Sequence, residues 1–450
     1  MNKIQQSFHK SRRKELSGLI GKDSIAVIFG NTLRNKSYDG DFLFKQYKNF
    51  YYLTGFTEAN SALLIAPGGI TLKSGSKKIN AKEVLYVQPK DEKMETWNGK
   101  RLGYNNVKKE LGIEYSEVNE KISRILSYHV LKNYRRVYLN IAEILKLTGD
   151  MKRIISDFIN DLNRIAPHTE IIDVSYIIGK MRSLKTEFET DKIKKASDIS
   201  VQSYNEILKI LKPGMTEFEI QTELEYYYRF HGGEETAYHP IVAGGENACI
   251  LHYENNDQKL SDNQLLLIDS ASEYNYYCSD ITRTFPVNGK FTPEQKEIYE
   301  IVLKANKECI KKVKPGVKFS EIGKLSEKIL AEGLSKIGLL KDKSEIKKYS
   351  LHGIGHHIGL DTHDAVPSSV TVSSDTDTLK PGMVLTIEPG LYFTKEMKEI
   401  PVKYRSMGIR IEDVVLVTKG GNEALTKEMV KETADVEEKM RITDLLSVRV

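Results

Sequence analysis

Cysteine is scarce in this chain. Cys249, Cys278 and Cys309 are odd in number and form no Cys-x-x-Cys pair, which excludes a disulfide framework and a thiolate zinc site. Buried free thiols in a reducing compartment are the expected state. Long apolar runs are missing too. No segment of the 450 residues approaches the ~18 apolar residues of a membrane span, and the N-terminal MNKIQQSFHKSRRKELSGLI carries charge without the apolar core of a signal peptide. A cytoplasmic protein with no membrane partner is expected. Nor is there an excess of one charge: 67 Lys and Arg against 62 Asp and Glu leave +5, too dilute for a nucleic-acid-binding surface. What remains is 40% hydrophobic and 29% charged, enough to build buried cores and too apolar for disorder. The length allows two or three domains of about 150 residues.

Two regions differ in texture. Up to residue 178, the short apolar runs Ser24–Phe29, Phe50–Leu53, Ala62–Ala66 and Val84–Val87 alternate with amphipathic stretches around 105–112, 118–132 and 149–165. This alternation predicts an α/β layer, a sheet covered by helices. Gly179-Lys180 is the expected joint, giving domains 1–178 and 179–450.

Beyond the joint, capping signals become clear. Thr186-x-x-Glu189 has capping-box spacing and precedes Ile193, Ala196, Tyr204, Leu208 and Leu211 at helical intervals. Thr292-Pro293-Glu294-Gln295 places a hydroxyl at the N-cap and proline at the first helical position, opening a helix expected to reach about Val313. Both helices end in the same way, at Leu211-Lys212-Pro213-Gly214-Met215 and at Val313-Lys314-Pro315-Gly316-Val317, and each is followed by a second helical pattern and a strand-rich stretch. The order of elements repeats and not only the tripeptide, so a duplicated helix-helix-sheet unit is expected. A third Lys-Pro-Gly, residues 380–382, reads as plain turn punctuation with no preceding helix.

The strand-rich stretches carry acids where buried strands ordinarily do not. Leu265-Leu266-Leu267-Ile268 ends in Asp269, and Asp280 leads a segment in which Asp280, Thr282 and Thr284 share one face by the period of two. Downstream, Met383–Ile387 runs into Glu388, and Gly408–Glu412 alternates Ile409 and Ile411 with Arg410 and Glu412. One such acid is ordinary. Four, with like charges raising one another's pKa unless a cation intervenes, point to an ion. Between the pairs lies LHGIGHHIGLDTHD, which holds His352, His356, His357 and His363 of the chain's 10 histidines on a glycine-spaced loop. Carboxylates with an imidazole form a hard, oxygen-rich donor set that suits divalent ions of the manganese type.

With those motifs in view, the chain resembles a known family. LLLIDSASEYNYYCSDITRTFPVNGKFT, LHGIGHHIGLDTHD, LTIEPGLYF and GIRIEDVVLVT are similar to the successive motifs of the aminopeptidase P (Xaa-Pro aminopeptidase) branch of the pita-bread metallopeptidases. NFYYLTGFTEANSALLIAP and ETWNGKRLG resemble that branch's N-terminal domain. The fold implied is an N-terminal α/β domain followed by a pita-bread catalytic domain, α/β and α+β in class, with a pseudo-twofold internal repeat.

The resemblance implies an enzyme that releases the N-terminal residue from peptides with proline in second position. Its cofactors would be two divalent metal ions per subunit, Mn2+ foremost, with Co2+ or Zn2+ as alternatives. Asp269 would chelate one ion, Asp280 and Glu412 would bridge both, and His356 and Glu388 would complete the second site. Glu388 would also act as general base and then general acid. His252 would line the site near the scissile bond, His363 would handle the substrate carbonyl and protons, and His352 and Arg410 would lie towards the leaving proline. His357 matches no ligand position. Trp97, the only tryptophan, reads by itself as a buried or half-buried anchor of its own domain. In the family its Trp-x-Gly-x-Arg motif lies on a loop directed at a neighbouring subunit's site, and a homodimer or homotetramer is expected. The nearest rival is prolidase, restricted to dipeptides; a pita-bread binding module without catalysis and a metal-free creatinase-like hydrolase both fit less well, because no ligand is missing.

Overall fold

The computed structural model describes residues 1–74, 77–142, 150–364 and 377–447. Two compact units divide the chain, Met1–Met181 and Arg182–Val450. Gly179-Lys180 is no loop: it lies inside the helix Ser175–Ser183, where buried Ile178 and Met181 carry the helix through the glycine.

The first unit is built on six strands, β1 (Ser24–Phe29), β2 (Ala62–Ser74), β3 (Lys77–Val87), β4 (Tyr115–Val118), β5 (Arg136–Leu139) and β6 (Glu170–Asp173), in the order β4-β3-β2-β1-β5-β6. β1 is buried along its whole length, as its uninterrupted apolar sequence requires of a central strand covered on both faces. Phe158 of the helix Asp150–Ile165 meets Phe29 edge-on at 5.3 Å, which seats that helix on the sheet. Two local expectations fail. The run Phe50–Leu53 belongs to the helix Lys48–Thr54, whose end is set by Gly55 in the left-handed region at φ 64°. The stretch 118–132 is not one helix. Leu126 leaves helical geometry at ψ 62°, so only the 3-10 turn Asn119–Ile125 and the short helix Tyr128–Leu131 form.

The second unit contains the duplication. Its first long helix, Glu187–Ile210, and its counterpart, Pro293–Lys312, both open with capping boxes, from Thr186/Glu189 and Thr292/Gln295. Each ends at Lys-Pro-Gly, and a second helix follows, Glu217–Phe230 in one half and Phe319–Lys336 in the other. Gly214 and Gly316 take positive φ, 96° and 85°, which only glycine adopts freely. Gly214 donates its N–H to Leu260 O at 2.8 Å, and Gly316 donates to Leu379 O at 2.9 Å. Gly382 of the third Lys-Pro-Gly is also left-handed at φ 90°; whether a helix precedes it lies outside the described residues, which resume at 377.

The strands of this unit are β7 (Glu235–Thr236), β8 (Ile241–Gly244), β9 (Leu265–Asp269), β10 (Ser272–Tyr274), β11 (Tyr277–Cys278), β12 (Thr282–Pro286), β13 (Val384–Ile387), β14 (Gly390–Phe393), β15 (Met407–Arg410), β16 (Asp413–Thr418) and β17 (Gly421–Ala424). Two antiparallel pairs matter most. β9 pairs with β12, Asp269 opposite Thr282, and β13 pairs with β16, Ile387 opposite Asp413. A polar side chain from each long helix ties one pair together. Tyr204 donates its hydroxyl hydrogen to Ile281 O at 2.7 Å and accepts from the Ser270 N–H at 3.1 Å, beside Asp280 and Asp269. Asn306 donates to Ile387 O and Ile411 O, both at 3.1 Å, one residue before Glu388 and Glu412.

Candidate metal centre

The two strand pairs each bring a pair of acids to one end. Asp269 is the last residue of β9, and Asp280 precedes β12 by two residues. Glu388 follows β13 directly, and Glu412 stands immediately before β16. Glu412 is therefore on the connection after β15 and not on a strand. The alternation expected over 408–412 is present although both sides of the segment are covered: Ile409 and Ile411 pack in the apolar core, while Arg410 and Glu412 turn to Asp269 and Thr282.

The acids converge with the histidine loop. Ligand atoms of Asp280, His356 and Glu412 all lie within 4.8 Å of one another. His356 Nε2 is 3.4 Å from Asp280 Oδ2 and 3.7 Å from Glu388 Oε1. Its Nδ1 is 3.0 Å from the His357 carbonyl. A carbonyl only accepts, so Nδ1 carries a hydrogen and Nε2 is turned to the carboxylates, the orientation that a hydrogen bond on the other ring nitrogen gives ligating histidines. Asp269 joins through the Tyr238 hydroxyl, which lies 2.5 Å from Asp269 Oδ1 and 2.5 Å from Asp280 Oδ1. That phenol has one hydrogen for two carboxylates. Thr282 donates to Glu412 Oε2 at 2.6 Å.

Electrostatics favour a bound cation here. Burial first, and then Asp280, Glu388 and Asp269, hold Glu412 well above the usual carboxylate range. Burial pushes Glu388 up to about 7 although His356 and Arg410 oppose it, and burial with Asp280 nearby raises Asp269 despite Arg410. Burial alone would lower His356, but Asp280 and Glu388 bring it to about 9. Several buried acids thus face too little positive charge. Hard oxygen donors with one imidazole, at ligand spacing and short of cation, fit divalent metal.

The remaining predicted residues surround this cluster. Arg410, buried, donates to Asp269 Oδ2 at 2.6 Å, Thr282 Oγ1 at 3.1 Å and Tyr392 Oη at 2.8 Å. Tyr392 accepts there and so must give its own hydrogen to His352 Nε2 at 2.7 Å, which leaves the His352 hydrogen on Nδ1, 2.8 Å from Gly353 O and 3.5 Å from Glu388 Oε2. Burial, with Arg410 nearby, lowers His352 to about 4, so it is neutral. The His363 ring meets the His356 ring edge-on at 4.1 Å, and burial, with His356 and His252 nearby, lowers its pKa. His252 is exposed on the loop after β8. His357 contributes its carbonyl, while its buried Nδ1 has no hydrogen-bond partner among the described residues.

A family model described as metallopeptidase family M24 matches residues 191–419, and one described as aminopeptidase P, N-terminal domain, matches residues 9–138. The chain belongs to metallopeptidase family M24. Xaa-Pro aminopeptidase of Haemophilus influenzae is 34% identical over 447 residues, covering 98% of each chain. Xaa-Pro aminopeptidase of Escherichia coli is 33% identical, with 97% of this chain and 98% of that one covered. The solved structure of aminopeptidase P from Escherichia coli with the inhibitor Pro-Leu superposes with a TM-score of 0.88 at 33% identity, over 98% of this chain and 99% of that one. The second unit is accordingly the pita-bread fold of M24, and the first is the N-terminal domain of the aminopeptidase P branch.

Two side chains of the M24 centre escaped the sequence reading, Tyr238 and Tyr392. Neither sits in a pattern that announces chemistry: Tyr238 lies beside Pro240 in a connection, and Tyr392 reads as an ordinary β-strand aromatic. Trp97 corrects the reading in another way. It is 79% exposed at the end of the helix Glu92–Asn98, so it anchors no core of its own domain. No disulfide joins the cysteines among the described residues; Cys278 and Cys309 are buried and Cys249 half-buried, and burial pushes the Cys249 and Cys309 thiols up to about 12. Among the described residues no helix is long and apolar enough to cross a membrane.

Proposed function

We propose that this M24 metallopeptidase acts as a Xaa-Pro aminopeptidase, releasing the N-terminal residue from peptides with proline in second position. The observation that carries the reading is the convergence of Asp280, His356 and Glu412 ligand atoms within 4.8 Å, at the ends of two strand pairs that also deliver Asp269 and Glu388. Asp269, Asp280, His356, Glu388 and Glu412 would hold two divalent ions. Bound there, the ions supply Lewis acidity, making water nucleophilic at neutral pH and drawing charge from the scissile carbonyl.

The protein's own groups do the rest. Glu388 takes a proton from the attacking water on a carboxylate oxygen and returns it to the departing proline nitrogen. That nitrogen has no hydrogen of its own and leaves as a secondary amine only once protonated. His252 and His363 donate hydrogen bonds to the carbonyl oxygen as negative charge develops on it. His352 and Arg410 lie towards the leaving proline. Arg410 is already engaged with Asp269, Thr282 and Tyr392, so it acts by holding Asp269 and, through Tyr392, the His352 ring.

Mn2+ is the favoured ion, with Co2+ or Zn2+ as alternatives, because the donors are mostly carboxylate oxygens. Cysteines without disulfide bonds support a cytoplasmic location. The exposed Trp97 supports a homodimer or homotetramer in which the N-terminal domain, residues 1–178, guards access to a neighbour's site. The testing experiment is hydrolysis of Xaa-Pro-Xaa and Xaa-Pro peptides after chelation and readdition of Mn2+, Co2+ or Zn2+. Metal-restored cleavage of the tripeptide is expected. A strong preference for the dipeptide would make the protein a prolidase, and metal-independent cleavage would overturn the mechanism.

A further inference from the structure

The loop between β8 and β9 carries His252, whose ring makes no hydrogen bond among the described residues and is exposed. Its position must come from the backbone that bears it. That backbone is organised by one carboxylate, Glu217, the first residue of the helix Glu217–Phe230, wholly buried at 0% exposure.

Glu217 does not cap its own helix, whose end is satisfied by the Thr216/Glu219 capping box. Its side chain reaches across to the loop and accepts four hydrogen bonds. Oε1 takes the Gly244 N–H at 2.7 Å and the Asn247 amide at 2.9 Å; Oε2 takes the Tyr253 hydroxyl at 2.8 Å and the Gln258 N–H at 3.0 Å. The Glu217 N–H donates in turn to Gln258 O at 2.9 Å. These contacts hold both ends of the loop and flank His252 on each side, with Tyr253 next to it in sequence. From below, the turn Gly245–Cys249 rests on Gly408 of β15 so closely that a Cβ there would lie 2.2 Å from Ala248 O. A carboxylate with four donors and no exposure is fully satisfied, and few other side chains can replace it. Glutamine keeps the shape but has one acceptor oxygen and brings an NH2 group against donors.

We infer that Glu217 is a positioning residue for His252, holding the 244–258 loop so that the imidazole stands at the scissile carbonyl. The inference rests on the role proposed for His252 and goes beyond it, because Glu217 touches neither substrate nor metal ligand. A misplacement of about 1 Å at a catalytic group lowers rate on the order of 100-fold. Glu217→Gln is therefore expected to lower kcat by that order while KM and metal content stay near wild type.

The test is a double-mutant cycle with His252→Ala on the metal-loaded enzyme, together with hydrogen exchange of the 244–258 segment. Glu217→Gln should lose activity in the wild-type background, lose little more in the His252→Ala background, and exchange faster in that segment alone. Tyr253→Phe, which removes one donor of the four, should show the same pattern more weakly and guards against a folding defect in the first variant. Equal proportional losses in both backgrounds would overturn the positioning role, as would wild-type kcat in a variant whose loop exchanges freely. His252→Ala on its own tests the other premise: near-wild-type turnover there would refute the catalytic role of His252, whereas additivity in the cycle refutes only the part assigned to Glu217.

Discussion

Asp364→Asn should destabilise the second unit strongly, by an amount the surroundings of Asp364 define. Asp364 closes the histidine loop: its N–H donates to His357 O at 2.9 Å, and its carboxylate meets Lys185 Nζ at 2.8 Å and the Arg182 guanidinium. The three side chains are 1%, 1% and 2% exposed, so solvent screening removes little of the interaction. Removing one partner of a buried pair costs about 3–5 kcal/mol. Arg182 keeps Asp361 at 2.6 Å, which places the loss towards the lower end, while Lys185 keeps no other carboxylate partner among the described residues. At roughly 2–4 °C per kcal/mol for a unit of this size, about 3 kcal/mol lowers Tm by about 6–12 °C in calorimetry at pH 7. The pH dependence has a definite sign. Burial acts to raise the Asp364 pKa, but Arg182 and Lys185 outweigh it and hold the carboxyl well below the usual range. Its stabilisation is thus complete above the unfolded value of about 3.9 and is lost as pH falls towards the depressed folded value. The gap between wild type and variant should stay constant from pH 6 to 8, roughly, and narrow below about pH 4. A Tm difference under about 2 °C at neutral pH, or a gap that widens on acidification, would refute the reasoning.

Three further outcomes follow from the centre. Asp280→Asn and Glu412→Gln should each abolish turnover with the circular dichroism spectrum retained, because each removes a ligand from the tightest part of the cluster; substantial Mn-dependent activity in either variant contradicts the ligand assignment. His363→Ala should lower kcat by about 100-fold or more with KM nearly unchanged, and a change confined to KM would remove the proposed transition-state role. Trp97 fluorescence should respond to a bound peptide in the oligomer and not in dissociated subunits, since the ring is 79% exposed in the single chain; an equal response from both forms speaks against a neighbour's site.

Much of the centre was legible because its signals are local. An apolar strand that ends in an acid, twice over, and capping boxes at Thr186 and Thr292 are statements about a few consecutive residues, and backbone propensity acts at that range. The repeated Lys-Pro-Gly breaks likewise needed nothing distant to be recognised, since positive φ at Gly214 and Gly316 is a property of glycine itself. Where local signals conflicted, the reading failed. Phe50–Leu53 has strand-like composition yet is helical, because burial of Asn49 to Thr54 in the helix Lys48–Thr54 outweighs propensity.

The sequence alone determined which acids and which histidine loop gather at the candidate centre, and in what order along the chain, because strand ends, caps and turn residues are encoded within a few positions. Tertiary structure decided how those residues are held. Tyr238 stands between Asp269 and Asp280, Arg410 reaches Asp269 and Tyr392, and Glu217 gathers a loop some distance along the chain. Burial and hydrogen bonding between distant segments are properties of packing. The raised pKa of Glu388 is one of them: its buried surroundings, with Asp280 and Asp269 close by, outweigh His356 and Arg410, and that balance exists only once the strands and the histidine loop have come together.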